Sequence, residues 1–150
     1  MANGNIIALW NRITRSQQTA EIDNTTNGLI VRAFQSFIAT ATVAKTANYT
    51  VGTVATDVAG TIFTNRGAAG AVTFTLPSPT AGTYYFFASV VAQTMTVTAG
   101  SAIAVTINNA AATSIAFSTA SQQIGSFAVA IADGTSWHLV NLSNNTATVA

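Results

Sequence analysis

The feature that most constrains this chain is a stretch of 66 consecutive residues, between Arg66 and Asp133, without a single Asp, Glu, Lys, Arg or His. Charged residues make up 6% of the 150 residues, whereas ordinary soluble domains carry about 25%. The stretch does not predict a membrane helix, because its densest apolar run spans only 84–92 and a spanning helix needs about 20 residues. The length favours one domain with a single hydrophobic core.

Apolar and small or polar residues alternate with a period of two along the body of the chain. The alternation is clearest in 71–76, 94–99 and 103–108, and this period predicts half-buried strands with a small or hydroxylated outer face. The same reasoning predicts further strands at 29–37, 48–53, 61–64, 83–91, 114–117, 124–131 and 136–142. Asp133 and Gly134 are typical of a type I′ hairpin. About ten short strands predict an all-β fold, an antiparallel β-sandwich or jelly-roll-like domain.

The first 27 residues differ from this body and predict an extended N-terminal arm before a single β-sandwich domain at 28–150. A short amphipathic segment in the arm carries four apolar residues at helical spacing and two flanking arginines. These predicted partner-binding residues are Ile6, Leu9, Trp10, Arg12, Ile13 and Arg15. A polar connector at 14–28 separates the four apolar residues from the body. The segment either docks on another subunit, which we favour, or folds back over its own body.

The low charge of the body favours assembly with other subunits. Burying such a surface desolvates almost no ions, and interface cores are depleted of charge for that reason. Uncharged strands rich in Thr also invite edge-to-edge pairing if they are left uncovered. The alternative is a monomer whose surface is hydrated by Thr, Ser, Asn and Gln.

The side chains that commonly carry chemistry are few and scattered, so we predict that the chain is not an enzyme. The carboxylates and the one histidine are Glu21, Asp23, Asp57, Asp133 and His138, and there is no cysteine. They form no paired carboxylates, placed triad or metal-ligand cluster, so we predict no catalytic, cofactor-binding or metal site. A net charge of +1 without a basic cluster argues against nucleic acid as a partner. No membrane partner is predicted either.

Several segments, read in order, resemble a pattern found in virion proteins of tailed bacteriophages. They span about residues 45–140 and comprise Lys45–Val51, Asp57, Gly60–Asn65, Ala71–Pro77, Ala81–Phe86 and Ala132–Trp137. Proteins with this pattern look like capsid decoration (cement) proteins or head-distal domains of tail fibres and spikes. The resemblance implies a β-rich domain, commonly a homotrimer, with no cofactor. Residues 1–35 have no counterpart in the pattern.

The resemblance alone leaves capsid and tail both open, and the chain's own features favour the capsid. A single domain with a docking arm suits a decoration protein that binds the major capsid protein on the outer shell and clamps neighbouring subunits. Such a protein is made in the host cytoplasm and resides on the capsid surface of the virion. The alternative is a receptor- or glycan-binding domain of a tail fibre or spike.

Overall fold

The computed structural model describes residues 41–100, 104–106 and 111–150 of the chain, which form strands, turns and loops. The strands are β1 (Thr42–Ala44), β2 (Tyr49–Thr50), β3 (Ile62–Thr64), β4 (Val72–Thr75), β5 (Tyr84–Ala88), β6 (Met95–Thr98), β7 (Ala104–Thr106), β8 (Ala111–Ala112), β9 (Ser114–Phe117), β10 (Phe127–Ala132), β11 (Trp137–Asn141) and β12 (Thr148–Val149). The described residues contain no helix long and apolar enough to cross a membrane. All of them belong to one compact unit that begins at Ser36. The predicted boundary between residues 27 and 28 lies outside the described residues and stays a prediction.

Two sheets pack against each other, and the predicted all-β sandwich is confirmed. The larger sheet has seven strands in the order β1-β3-β5-β10-β11-β7-β8, and the smaller has five in the order β12-β9-β6-β4-β2. Buried apolar side chains from both sheets form one continuous core. The predicted strands from 48–53 to 136–142 each overlap an observed strand, and β10 ends one residue beyond the predicted 124–131. Strands β1, β8 and β12 were not predicted. The predicted strand at 29–37 lies outside the described residues.

The sheets are mixed, which corrects the expectation of purely antiparallel pairing. From β1 to β7 each strand crosses to the opposite sheet, so β1, β3 and β5 are neighbours in one sheet and β2, β4 and β6 are neighbours in the other. As a result β3 runs parallel to β1 and β5, and β4 runs parallel to β2 and β6. Antiparallel pairs follow where β10 joins β5 and β11 and where β9 joins β6 and β12. Alternation along one strand reports its faces and not the direction of its neighbours, so the sequence could not reveal this arrangement.

The core is centred on aromatic rings contributed by both sheets. Phe63 of β3 lies 5.8 Å from the ring of Phe74 on the opposite sheet and 5.7 Å from Phe87 on its own. Tyr85 lies 5.9 Å from Phe63 and 5.8 Å from Trp137. Offset and edge contacts at these centroid distances are favourable for aromatic pairs. The rings therefore bind the two sheets together at the middle of the sandwich.

Two buried polar side chains tie the loops to this core. Asn65 is fully buried, and its Oδ1 accepts the backbone N–H of Val90 at 2.7 Å while its Nδ2 donates to Ser89 Oγ at 3.1 Å. Trp137 Nε1 donates to the carbonyl oxygen of Pro77 at 2.8 Å. Buried polar groups of this kind are stable because each has a partner, and here they fix the course of loops that leave β4 and β5.

The hairpin predicted at Asp133 and Gly134 is present between β10 and β11, but its turn is not type I′. A type I′ turn requires positive φ at both central residues. Gly134 has a φ of 99°, and Asp133 is not among the residues with positive φ. The Asp133 side chain instead accepts the backbone N–H groups of Thr135 and Ser136 at 2.7 Å each. These two hydrogen bonds hold the turn in its observed shape.

Two buried threonines at β3 provide a matched test of the polar core. Thr61 Oγ1 donates to the carbonyl oxygen of Val58 at 2.7 Å, whereas Thr64 Oγ1 is buried and has no hydrogen-bond partner. We expect Thr61→Val to destabilise the fold by about 1 kcal/mol, because it removes a made hydrogen bond. Thr64→Val is expected to be neutral or stabilising by up to about 1 kcal/mol, because it removes an unsatisfied hydroxyl. Urea denaturation of both variants measures the difference, and equal losses would contradict the assignment.

Candidate functional site

The residues predicted to bind a partner lie outside the described residues. They are Ile6, Leu9, Trp10, Arg12, Ile13 and Arg15. Their role in the arm stays a prediction, and the site that follows is built from the described sandwich alone.

The outer side of the seven-stranded sheet carries a contiguous apolar surface, here called the aromatic face. It is formed by the outward residues of β3, β5, β10 and β11, namely Ile62, Tyr84, Phe86, Phe127, Val129, Ile131 and Val140. The strand register places Phe86 beside Ile62 on one side and Val129 on the other, and Val129 beside Val140. Apolar side chains thus follow one another across four strands without a charged residue between them.

The rings of the aromatic face pack against each other along the outer surface of the sheet. Phe86 and Phe127 are stacked with their centroids 5.7 Å apart and an interplanar angle of 20°. Tyr84 meets Phe86 edge-on at 5.8 Å. Val129, at the centre, is only 7% exposed, whereas Ile131 near the end of β10 is 45% exposed. The surface is therefore ordered by its own ring contacts and has an accessible aliphatic residue at one end.

The outer side of the five-stranded sheet has the opposite character and is here called the threonine face. Thr73 and Thr75 of β4 stand beside Thr96 and Thr98 of β6, and Thr50 stands beside Thr75. Their hydroxyl groups point away from a core formed by the alternate residues of the same strands. One sandwich thus presents one hydroxylated face and one aromatic face.

The sequence reasoning missed the aromatic face, although a signal for it exists. Alternation along β5 sends half of the rings of Tyr84–Phe87 into the core, where Tyr85 and Phe87 are buried. The other half, Tyr84 and Phe86, forms the outer face. The signal is the loss of alternation in β5 and β10, which are apolar at nearly every position, since a strand apolar on both sides indicates that both sides contact apolar groups.

A second arrangement of interest surrounds the buried carboxylate of Asp57. Its Oδ2 accepts the hydroxyl of Tyr49 at 2.6 Å and the backbone N–H of Gly52 at 2.9 Å, while its Oδ1 is buried and has no partner. Gly52 has a φ of 82°, a backbone conformation that glycine adopts without steric cost. That conformation turns its N–H toward the carboxylate. The cluster holds the loop between β2 and β3 in place.

Two tyrosines next to Asp57 make polar contacts that add to the hydrogen bonds of this loop. Lys45 Nζ lies 3.4 Å from the centroid of the Tyr49 ring, within the range of a cation–π contact. Tyr85 donates its hydroxyl to the carbonyl oxygen of Asp57 at 3.4 Å. Burial raises the pKa of Tyr85, and the negative charge of Asp57 raises it further. Tyr85 therefore stays a neutral donor.

The third polar arrangement is the Asp133–His138 pair in the β10–β11 turn. His138 Nε2 lies 2.9 Å from Asp133 Oδ2. The backbone N–H groups of Ser136 and Thr135, then the His138 side chain, lower the pKa of Asp133 from 3.8 to about 2. Both side chains are close to half exposed. The register of β10 with β11 places His138 beside Ile131. The Asp133–His138 pair therefore forms a polar border at one end of the aromatic face.

These polar arrangements supply little of what catalysis or metal binding requires. Among the described residues no three His, Cys, Asp or Glu side chains are close enough to hold a metal ion. Asp133 Oδ1 and Oδ2 are both engaged in the turn and with His138. Among the described residues, the Asp57 carboxylate bonds to the Tyr49 hydroxyl and the Gly52 N–H, and neither a histidine nor a second carboxylate is among its partners. The aromatic face is therefore the strongest candidate site, and binding rather than bond chemistry is what it can perform.

Comparison of the chain with known protein families and with curated proteins finds no match.

A pair of tyrosines tests whether the Asp57 cluster holds the fold. Tyr49→Phe removes the 2.6 Å bond to Asp57 and is expected to cost about 2 kcal/mol, because hydrogen bonds to a charged group contribute about 1.5–3 kcal/mol. Tyr84→Phe is the matched control, since the Tyr84 hydroxyl is buried without a partner. We expect its free energy of unfolding to equal or exceed that of the native chain. A similar loss in both variants would show that the Asp57 cluster is not what stabilises this region.

Acid should weaken the β10–β11 turn through Asp133. Because its folded-state pKa lies at about 2, below the ordinary 3.8, the ionised carboxylate stabilises the fold above pH 3.8 and loses this effect as the pH falls toward 2. We therefore expect the difference in Tm between the native chain and Asp133→Asn to shrink as the pH falls through this range. Thermal unfolding between pH 2 and 5, followed by circular dichroism, measures it. Parallel curves for the two proteins would contradict the assignment.

Proposed function

We propose that this chain is a non-enzymatic structural protein of a tailed-bacteriophage virion that decorates the outer capsid surface and stabilises the shell. The observation that carries the proposal is the aromatic face, an ordered apolar surface on a domain that has almost no charge. A surface of this kind suits stable contact with protein. Between residues 41 and 150 the only charged side chains are those of Lys45, Asp57, Arg66 and Asp133, besides His138.

The segments that carry the resemblance to phage virion proteins occupy framework positions of the sandwich, which supports a shared architecture. Tyr49 and Asp57 bond to each other, and Asn65 anchors the strand exit at Val90. Pro77 and Trp137, 60 positions apart in sequence, are joined by a hydrogen bond. The pattern therefore follows contacts that a fold of this type needs, and it contains no separate set of reactive groups.

The use of the polar side chains also supports a non-enzymatic role. Asp57 and Asp133 are the only carboxylate side chains between residues 41 and 150, and each stabilises a loop through backbone N–H groups. A catalytic carboxylate normally needs a second titratable group and an open approach for substrate. Rigid binding surfaces have no such requirement.

In the proposed arrangement the N-terminal arm holds the domain to the shell. The apolar stripe at Ile6, Leu9, Trp10 and Ile13 would enter a groove on the major capsid protein, and Arg12 and Arg15 would pair with carboxylates there. The body would associate with further copies, as a homotrimer, and bridge neighbouring capsid subunits. The protein would reach this surface from the host cytoplasm during assembly of the virion.

A second candidate function is recognition of a receptor or glycan by a tail fibre or spike. The observation that favours it is the polar border of Asp133 and His138 beside the exposed Ile131 and the half-buried ring of Tyr84, because sugars bind by stacking together with a few polar contacts. The position in the particle distinguishes the two functions. A decoration protein is distributed over the shell, whereas a fibre domain is confined to the tail.

Binding to capsids that lack decoration tests the first function directly. We expect the full chain to co-sediment with such capsids, and a Leu9→Ala, Trp10→Ala double variant to bind at least about tenfold more weakly, because buried aromatic anchors commonly contribute 2 kcal/mol or more to an interface. The matched control is Gln17→Ala, Gln18→Ala in the polar connector, which should bind as the native chain does.

Two results of this experiment would count against the proposal. Failure of the native chain to bind capsids would remove the decoration function. Unchanged binding by the Leu9→Ala, Trp10→Ala variant, or by a chain without residues 1–26, would remove the arm from the mechanism and leave the sandwich as the binding element.

A further inference from the structure

We propose that the β3–β5 half of the aromatic face is covered by residues 36–40 of the same chain. These residues lie outside the described residues and directly precede Ala41. They include the apolar pair Phe37 and Ile38, and the compact unit that contains the sandwich includes them. The inference concerns the free chain and does not depend on capsid binding.

Exposure changes along one row of the aromatic face. At the β3 side of the row, Gly60 is buried and donates its N–H to the carbonyl oxygen of Tyr84 at 2.8 Å. The Tyr84 hydroxyl is also buried. Farther along the row, Ile131 is 45% exposed and the His138 side chain is 44% exposed. Burial therefore decreases from β3 toward β11, which places the covering group on the side of the sheet where β1 lies.

The course of the chain brings residues 36–40 to this side. Strand β1 runs parallel to β3 and β5, so the chain enters β1 at the end of the sheet where β5 begins with Tyr84. Two strand spacings separate β1 from β5, about 10 Å, and the extended chain from Ala41 back to Phe37 spans about 14 Å. The segment can therefore reach Tyr84, and it leaves the β10–β11 half of the aromatic face open.

The chemistry of the segment matches the surface beneath it. A buried hydroxyl normally has a hydrogen-bond partner where polar groups are available, and that of Tyr84 has none, so an apolar group covers it. The side chains of Phe37 and Ile38 have no polar atoms, and none of residues 36–40 is charged. A short connection to β1 also gives the segment a high effective concentration at this surface, which a separate molecule does not have.

The reactivity of a single thiol provides the first test. The chain has no cysteine, so Tyr84→Cys places one thiol under the segment and Ile131→Cys places one on the open half. We expect maleimide to modify the Tyr84→Cys variant at least about tenfold more slowly than the Ile131→Cys variant, because a covered thiol reacts only when the segment opens. Adding Phe37→Ser and Ile38→Ser should remove this protection and leave the rate of Ile131→Cys unchanged.

Two controls accompany the rates. The pair Gln17→Ser and Gln18→Ser in the polar connector should change neither rate, and circular dichroism checks that each variant is folded. The rates are measured over a range of protein concentrations, because protection by the same chain does not depend on concentration.

A thiol cross-linker provides the second test. Phe37→Cys or Ile38→Cys is combined with Tyr84→Cys, or in the control with Thr96→Cys on the threonine face. The reagent is a bis-maleimide that spans about 10 Å, the distance between packed backbone layers. We expect at least one combination with Tyr84→Cys to be linked within a single chain. Neither combination with Thr96→Cys should be linked, because the sandwich lies between the two thiols.

The outcomes separate this inference from the proposed function. Equal rates for Tyr84→Cys and Ile131→Cys, or protection that Phe37→Ser and Ile38→Ser leave unchanged, would overturn the inference. Protection that disappears on dilution, or linkage only between chains, would overturn it in favour of a second copy. Capsid binding is measured separately on the native chain. A chain that shows the expected protection and linkage but does not bind capsids would retain this inference and reject the decoration function.

Discussion

The packing of Phe63 against rings from both sheets is the interaction on which the rest of this structure depends. From β1 to β7 the chain never places two consecutive strands in one sheet, so neither sheet can form a stable layer without the other. Phe63, Phe74 and Phe87 lie within 5.8 Å of one another by ring centroid and join the layers where the chain crosses between them. The aromatic face and the threonine face exist only because this contact fixes which side of each strand is inward.

Each crossing exposes backbone groups that a hairpin would have paired, and a small number of buried polar side chains satisfy them. Asn65 accepts the N–H of Val90 and of Val91, Asp57 accepts that of Gly52, and Trp137 donates to the carbonyl of Pro77. These buried polar side chains thus stabilise the loops between the sheets. This use explains how a chain with 6% charged residues can form long loops without leaving the buried backbone unpaired.

The sequence predicted the strands and their inward faces well where alternation is strong, as in β4 and β6. It did not predict the parallel pairing. The residues of a strand determine which of its faces is buried, but the loops that cross between the sheets determine which strands lie beside it. It missed β1, β8 and β12, which have two or three residues each and too few positions to establish a period. The aromatic face was missed because a uniformly apolar strand such as β10 was treated as half-buried. Asp133 and His138 were named among the scattered titratable side chains, and the bond between them depends on the shape of the turn.

The crossing of strands between sheets has a consequence for the time the chain needs to fold. The parallel neighbours β3 and β5 pair Ile62 with Phe86, and β4 and β6 pair Val72 with Met95, so each pair must close a loop that contains a strand of the other sheet. Such non-local pairing places a fold among those that form in milliseconds to seconds, whereas a hairpin such as β10–β11 forms in about 1–10 μs. Much of the body therefore stays unpaired until strands that are distant in sequence meet. Unpaired apolar strand edges that are exposed during this interval are prone to aggregate, so slow pairing favours conditions that keep the unfolded chains apart.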